Sequence, residues 1–173
     1  MGFKRRRLAW LLMALAVLTL WMLNASQPGA AVEGCLAACA NAARPDDGSV
    51  RIVSLNVLHD FPRFAYLPQR LDLIAAEIRR LDADIVLLQE APWTWRVGSG
   101  AAYLGRATGL NYGFLRANGN RWAILFEEGE AILSRFPLRD VRFTELRPRE
   151  APFQHRVAVS AVVDTALGPL RVV

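Results

Sequence analysis

Two polar side chains in this chain end apolar runs that are typical of strands. Asn56 lies near the end of RIVSLNV, and Glu90 follows IVLLQ. A carboxylate supplies the hard anionic oxygen that Mg²⁺ prefers, and an amide can donate to a phosphoryl oxygen without adding charge. If the two side chains meet, the pair suits a divalent cation and a phosphate. Spacing alone leaves an alternative in which both residues are structural: Asn56 would cap a turn, and Glu90 would pair with an arginine.

The segments around these residues predict that they do meet. The run 52–57 predicts a strand, and the run 85–88 predicts a second strand too apolar to have one face in water. Between them, spacings of three and four predict one buried helix face, with Pro68 at the first helical position; that face contains Leu71, Ile74, Ile78 and Leu81. Strand, helix and buried strand form a βαβ unit with parallel strands. Asn56 and Glu90 should then share the carboxyl edge of an α/β sheet, where ligand crevices lie.

The N-terminus has the order of an export segment. The basic stretch KRRR is followed by the apolar run 8–23, LAWLLMALAVLTLWML. As a helix this run rises about 24 Å, less than the roughly 30 Å hydrocarbon core but within the range of a signal peptide. We expect residues 1–25 to be a signal peptide or an uncleaved signal anchor that holds the protein in the membrane. Either predicts a periplasmic or extracellular location.

Residues 26–49 are Ala-rich without a pattern of periodic burial, and they are predicted to be a linker. Both cysteines, Cys35 and Cys39, lie in it. They could form a short-loop disulfide, or Cys39 could carry a lipid, because it ends the stretch LAAC, which is similar to a lipoprotein processing site. We expect instead two small residues in a flexible or removed segment. Neither histidine is close in sequence, so no metal site is predicted here.

The net charge of +5 comes mostly from the first seven residues, which hold four basic side chains and leave +1 for the rest. No lysine occurs after Lys4. The high isoelectric point therefore does not indicate a nucleic-acid surface, and a near-neutral body argues against tight sequence-independent DNA binding, which relies on many phosphate contacts.

Four segments in order resemble the first half of the endonuclease/exonuclease/phosphatase superfamily: SLNVLHD, ADIVLLQE, GEAILSRFPL at 129–138 and HRVAV at 155–159. The resemblance covers about residues 50–173. It implies an α/β fold, a sandwich of two mixed β-sheets flanked by helices. It also implies Mg²⁺-dependent hydrolysis of a phosphate ester, with Mn²⁺ as an alternative metal. The substrate would be a nucleic acid, a phospholipid headgroup or a small phosphate ester, and no protein partner is implied.

The resemblance also implies roles for single residues. Glu90 matches the metal-ligating glutamate. Asn56, which is also a candidate metal residue, matches the asparagine that closes the strand before it and helps to orient the phosphate or the nucleophile. Arg156 matches an arginine that lies near the phosphates in several relatives, although an ordinary ion-paired strand residue is an equal alternative. Trp93, in a loop expected to border the cleft, could stack on a base or a lipid headgroup, or be partly buried instead.

Other motif residues are predicted to be structural. His59 is expected to be a loop residue and His155 a surface residue, while Ser134 and Arg135 belong to the scaffold. Gly129 is expected to permit a tight approach before a short strand at 131–133. The stretch VGSGAAYLGRATGLNYGF lacks the spacing of a phosphate loop and predicts a turn that leads into a short helix.

The later motifs of the superfamily do not occur in this sequence. Relatives continue with segments like Asn-Thr-His-Leu, Gly-Asp-x-Asn and Ser-Asp-His, which supply the base that activates water and the groups that fix the phosphate. We therefore expect residues 50–173 to be a truncated domain that folds poorly and is inactive alone. The alternative is a membrane-anchored, non-catalytic binding module or a decayed remnant of the family.

Overall fold

The computed structural model describes residues 2–41, 47–151 and 154–173. Helices and strands follow each other in a mixed order along the chain. They are α1 (Gly2–Ala25), β1 (Glu33–Cys35), β2 (Ile52–Asn56), α2 (Leu67–Leu81), β3 (Ile85–Thr94), β4 (Gly98–Ser99), α3 (Gly100–Thr108), β5 (Asn111–Asn120), β6 (Phe126–Ser134), β7 (Leu138–Ala151), β8 (Gln154–Thr165) and β9 (Gly168–Val172).

The strands form two sheets, of which one is mixed and the other antiparallel. Within the described residues, one sheet has six strands in the order β1-β5-β6-β3-β2, with β4 paired to β3, and the other has three in the order β7-β8-β9. The predicted α/β sandwich of two sheets flanked by helices is confirmed. The helix expected before β5 is α3, which Ser99 caps by accepting a hydrogen bond from the Ala102 N–H.

The βαβ unit folds as the sequence pattern predicts. Strands β2 and β3 are parallel, and Asn56 pairs with Gln89. Helix α2 turns Leu71, Ile74 and Ile78 into the core, while Leu81 is 38% exposed. Leu81 differs because it is the last residue of the helix, and Asp82 follows it in the left-handed conformation that ends α2.

Two apolar cores hold the layers together. The first lies between the helices α2 and α3 and the outer face of the large sheet. The second lies between the two sheets, where Ile85, Leu115 and Ile132 meet Val159 and Val163. The inner face of the large sheet is therefore covered over β5, β6 and the start of β3, whereas Ile52 on the edge strand β2 stays 49% exposed.

The predicted linker contains folded structure. Strand β1 pairs antiparallel with β5, and Cys35 and Cys39 form a disulfide. The Asn111 Oδ1 accepts hydrogen bonds from the backbone N–H groups of Cys39, at 2.9 Å, and Ala40, at 3.0 Å. The expectation of two cysteines in a flexible or removed segment is thus wrong for residues 33–41, and the short-loop disulfide that the sequence left open is present. Backbone pairing and a disulfide hold this segment, and neither produces a periodic pattern of apolar residues. Residues 42–46 of that linker lie outside the described residues.

Helix α1 contains the apolar run of the predicted export segment. Its side chains from Arg5 to Trp21 are exposed. Among the helices of the described residues, none has the length and apolar character needed to cross a membrane.

Candidate active site

Glu90 lies at a β-bulge, not at the end of a strand. Strand β3 continues past it to Thr94. Leu88 pairs with Ala131 and Ala91 pairs with Gly129, so Gln89 and Glu90 together oppose the single residue between those partners on β6. Glu90 has a φ of 54°, in the left-handed region that side chains other than glycine rarely adopt. Bulges and such backbone conformations concentrate at functional sites, where they aim a side chain.

Gly129 allows the strands to approach at this bulge. A Cβ atom at Gly129 would lie 2.0 Å from the Leu115 carbonyl oxygen. Any other residue at this position would therefore require the backbone to shift. The tight approach expected of this glycine is confirmed, and it brings β5 and β6 together beneath the Glu90 bulge.

Asn56 and Glu90 are in direct contact. The Asn56 Nδ2 donates to Glu90 Oε1 at 2.9 Å, and the Asn56 Oδ1 accepts from the Leu58 backbone N–H at 2.8 Å. The amide is therefore held at both ends, and it fixes one oxygen of the carboxylate while Oε2 lies outside this hydrogen bond. The structure brings together the two residues that the sequence analysis pairs.

The pair opens into a cleft of about 590 Å³ between the two sheets. The cleft is wide enough for a small ligand. Its walls come from the loop after β2, the bulge of β3, strands β5 and β6, and the hairpin of β7 and β8. The lining residues are Asn56, His59, Phe61, Gln89, Glu90, Ala117, Asn118, Phe126, Glu128, Gly129, Glu130, Leu146, Gln154, His155, Arg156 and Val157.

His59 joins this cleft although it belongs to a loop, as predicted. Its Nδ1 accepts a hydrogen bond from the Phe61 backbone N–H at 2.9 Å. The ring proton must therefore be on Nε2, which donates to Glu128 Oε2. The same nitrogen lies 3.8 Å from Glu90 Oε2. The imidazole also packs on Phe126, with ring centroids 4.8 Å apart.

The cleft holds two further carboxyl groups with opposite pKa shifts. Burial acts to raise the pKa of Glu128, but hydrogen bonds from His59 and Asn118 and the charge of Arg156 outweigh it, so the pKa is lowered. Burial, together with the negative charges of Glu128 and Glu90, raises the pKa of Glu130 to about 7. At neutral pH, Glu128 is ionised while Glu130 exists in both forms.

The sequence analysis missed Glu128 and Glu130. Alternation along a strand places residues two apart on the same face, so FEEGEAI could have been interpreted as one face with Phe126, Glu128, Glu130 and Ile132. The predicted strand at 131–133 was too short to include the glutamates, whereas β6 extends over Phe126–Ser134.

The hairpin of β7 and β8 forms the opposite wall. Arg156 is exposed and lines the cleft, and its charge lowers the pKa of Glu128. His155, expected at the surface, is instead 3% exposed, because alternation along β8 turns it inward with Val157. The His155 Nδ1 lies 2.7 Å from Glu145 Oε1. Hydrogen bonds from Arg149 and His155 lower the pKa of Glu145 to about 2.

Trp93 occupies a different place from the one expected. It lies within β3, not in a loop, and it is absent from the described residues that line the cleft. The Arg121 guanidinium lies over its ring, 4.8 Å from the centroid, and the side chain is partly buried. This arrangement corresponds to the alternative of partial burial.

The scaffold residues are arranged as the sequence analysis expects. The Arg135 Nε donates to Asp84 Oδ1 at 2.8 Å, and its Nη2 donates to Asp82 Oδ1 at 2.8 Å. Ser134 is fully buried, and its hydroxyl accepts from the Phe136 backbone N–H. These contacts tie the end of β6 to the start of β3, away from Glu90.

The donor atoms of the cleft fit a hard divalent cation. Among the side chains described, no three or more His, Cys, Asp and Glu residues are grouped to hold a metal ion on their own. Mg²⁺, however, commonly binds through one or two carboxylates, water molecules and the phosphates of the substrate. Glu90, with Oε1 fixed by Asn56, offers such a carboxylate, and Glu128 and Glu130 add further negative charge nearby.

The fold is similar to that of a solved structure. The chain is similar to an endonuclease/exonuclease/phosphatase family protein from Leptotrichia buccalis, with a TM-score of 0.52 and 15% identity over 71% of this chain and 53% of that one. It also matches an endonuclease/exonuclease/phosphatase from Beutenbergia cavernae, with a TM-score of 0.48 and 23% identity over 58% of this chain and 31% of that one. The chain thus spans about half the length of the first structure and a third of the second. A comparison with curated protein sequences finds no match.

The family model named Endonuclease/Exonuclease/phosphatase family matches residues 53–171. This range contains all of β2 except Ile52, the Glu90 bulge, and all of the second sheet except Val172. The chain belongs to the endonuclease/exonuclease/phosphatase family.

Proposed function

We propose that the protein hydrolyses a phosphate ester in the cleft at Glu90, with a bound divalent cation, Mg²⁺ or Mn²⁺. The observation that carries the proposal is the Asn56–Glu90 pair at the β3 bulge, where a hydrogen bond of 2.9 Å and a left-handed backbone hold a carboxylate toward the cleft. Membership of the family supports the class of reaction.

The two walls of the cleft have different roles in the proposed reaction. Glu90 holds the cation through its carboxylate, and Asn56 keeps that carboxylate in one orientation. Arg156, on the opposite wall, contributes positive charge that attracts the anionic ester. When bound, the cation polarises the phosphoryl group and neutralises charge that develops on it.

The substrate is a nucleic acid, a phospholipid headgroup or a small phosphate ester. The charge of the chain after its first seven residues is only +1, which favours an ester of small size over a long polyanion. We also propose that residues 1–25 direct export, so that the enzyme meets its substrate outside the cytoplasm.

An activity assay tests the proposed function. Protein purified from its full reading frame is incubated with bis-para-nitrophenyl phosphate, plasmid DNA or sphingomyelin, with Mg²⁺ or with EDTA. We expect hydrolysis of at least one substrate, loss of it in EDTA, and a decrease of roughly 100-fold or more in Glu90→Ala, because the metal contributes several kcal/mol to the transition state.

The control is Glu77→Ala on the exposed face of α2, where Glu77 pairs with Arg80. This variant should retain full activity. Hydrolysis that survives EDTA, or that is unaffected by Glu90→Ala, would contradict the proposed function.

A further inference from the structure

Two carboxylates lie within reach of one imidazole proton in the cleft. The His59 Nε2 donates to Glu128 Oε2, and Glu90 Oε2 lies 3.8 Å from the same nitrogen. Because Nδ1 accepts from the Phe61 N–H, Nε2 carries the single ring proton. The partner that His59 takes therefore decides whether Glu90 Oε2 is free to bind something else.

The carboxylate of Glu128 is held in place by Asn118. The Asn118 Nδ2 donates to Glu128 Oε1 at 2.8 Å, which leaves Oε2 for His59. Asn118 is itself anchored on the second sheet: it donates to the His155 carbonyl oxygen at 2.9 Å and accepts from the His155 N–H at 2.6 Å. The pairing of β5 with β6 has a bulge between Arg116 and Asn118. A bulge changes the direction of the side chains beside it, and the Asn118 side chain contacts both sheets.

The imidazole of His59 is close enough to Glu90 to change partner. A normal N–H···O hydrogen bond is about 2.9 Å long, so the ring is about 1 Å farther from Glu90 than a hydrogen bond requires. The stack of Phe61 on Phe126, with centroids 4.7 Å apart, supports the ring from one side. The two phenylalanine rings do not lie between His59 and Glu90. The hydrogen bond from His59 to Glu128 therefore opposes a movement of the imidazole toward Glu90.

We propose that Glu128 is a positioning residue that keeps His59 away from Glu90 and so leaves Glu90 Oε2 available to a divalent cation. This inference rests on the proposed function, because it assigns Glu128 a task at the same metal site. Glu128 acts through His59 and does not bind the cation. Asn118 supports it by fixing the other carboxylate oxygen.

Binding of Mn²⁺, followed by the electron paramagnetic resonance signal of the free ion, tests the inference without turnover. The measurement compares purified wild-type protein with Glu90→Ala, Glu128→Ala, His59→Ala and the double variant Glu128→Ala/His59→Ala. We expect Glu128→Ala to weaken Mn²⁺ binding about tenfold, because the hydrogen bond that forms between His59 and Glu90 must first be broken. His59→Ala should bind like the wild type, and the double variant should recover to within about threefold of His59→Ala.

A second variant guards against a folding defect. Glu128→Gln retains the size of the side chain, but its single carbonyl oxygen can accept from the imidazole or from Asn118 and not from both, because its other terminal atom is an NH2 donor. Where that oxygen accepts from the imidazole, it holds the ring less strongly than glutamate does because it has no charge. This variant should show a smaller loss of Mn²⁺ affinity and the same recovery when combined with His59→Ala. Thermal unfolding of each variant in EDTA reports separately on stability.

Two results would overturn the inference. If the loss in Glu128→Ala persists in the double variant, Glu128 acts on the cation directly, through its charge or as a ligand, and not through His59. If Glu128→Ala, folded as judged by thermal unfolding, binds Mn²⁺ like the wild type, Glu128 does not protect Glu90. Failure of the proposed function has a different signature, since wild-type protein would then show no Mn²⁺ binding that depends on Glu90, and the inference would fall with it.

Discussion

The carboxyl group of Glu130 lies among other acids in a partly buried position. Its pKa is raised to about 7 by burial and by the charges of Glu128 and Glu90. A group whose pKa is higher in the folded protein than in the unfolded chain stabilises the fold at low pH, and this contribution is lost as the pH rises through the folded value. The free energy of unfolding should therefore decrease between about pH 4.5 and pH 7 through this one side chain.

Glu130→Gln tests that dependence in metal-free buffer with EDTA. The glutamine is neutral at every pH, so the variant should be more stable than the wild type at pH 8, by about 1 to 3 kcal/mol, and nearly equal to it at pH 5. Urea unfolding at the two pH values measures the difference. Glu77→Gln, at a carboxylate already paired with Arg80, should show no gain at pH 8. An equal effect of Glu130→Gln at both pH values would contradict the assigned pKa.

The sequence predicted only some of the residues of the site. Asn56 and Glu90 follow apolar runs, so their juxtaposition could be predicted from strand order alone. His59 could not be placed, because its position depends on a loop that returns over β6 and packs on Phe126. Glu128 could have been found from alternation, had the strand been extended backward from Ala131.

The βαβ unit of β2, α2 and β3 follows directly from local pattern, since both periodicities are present in the sequence. The continuation of β3 beyond Glu90 does not. A polar residue after an apolar run is the usual mark of a strand end, and only pairing with β6 across the bulge shows that the strand goes on. Pro92 lies in this continuation, which further weakens the strand pattern in the sequence.

The segment that contains β1 is held by contacts that composition does not reveal. It combines pairing with β5, the Cys35–Cys39 disulfide and the hydrogen bonds to Asn111. A disulfide between residues separated by four positions constrains only a small loop and should stabilise the protein by about 2 kcal/mol. A chain with both cysteines replaced by serine should lose about that free energy of unfolding in urea.

Reduction provides the matched control for this prediction. Dithiothreitol should destabilise the wild type by the same amount and leave the Cys35→Ser/Cys39→Ser variant unchanged. If the double variant is as stable as the oxidised wild type, the Cys35–Cys39 disulfide adds nothing to the stability of the fold, and backbone pairing alone holds the segment.

The whole molecule is a sandwich in which the second sheet covers the first unevenly. Ile85 is fully buried between the sheets, whereas Ile52, next to it on β2, is half exposed. The expected sandwich was implied by resemblance, because no local pattern determines how two sheets pack. The partial cover keeps the cleft open along the line from Glu90 to Arg156, which is where the family's chemistry is proposed to occur.

The most direct test of the central claim is a crystal structure of the protein soaked with Mn²⁺, with anomalous scattering used to locate the ion. We predict a peak in the cleft within about 2.2 Å of a Glu90 carboxylate oxygen, with Asn56 still bonded to that side chain. The peak should be absent in Glu90→Ala crystals. A Mn²⁺ ion bound elsewhere, or one that persists in the cleft without Glu90, would contradict the account.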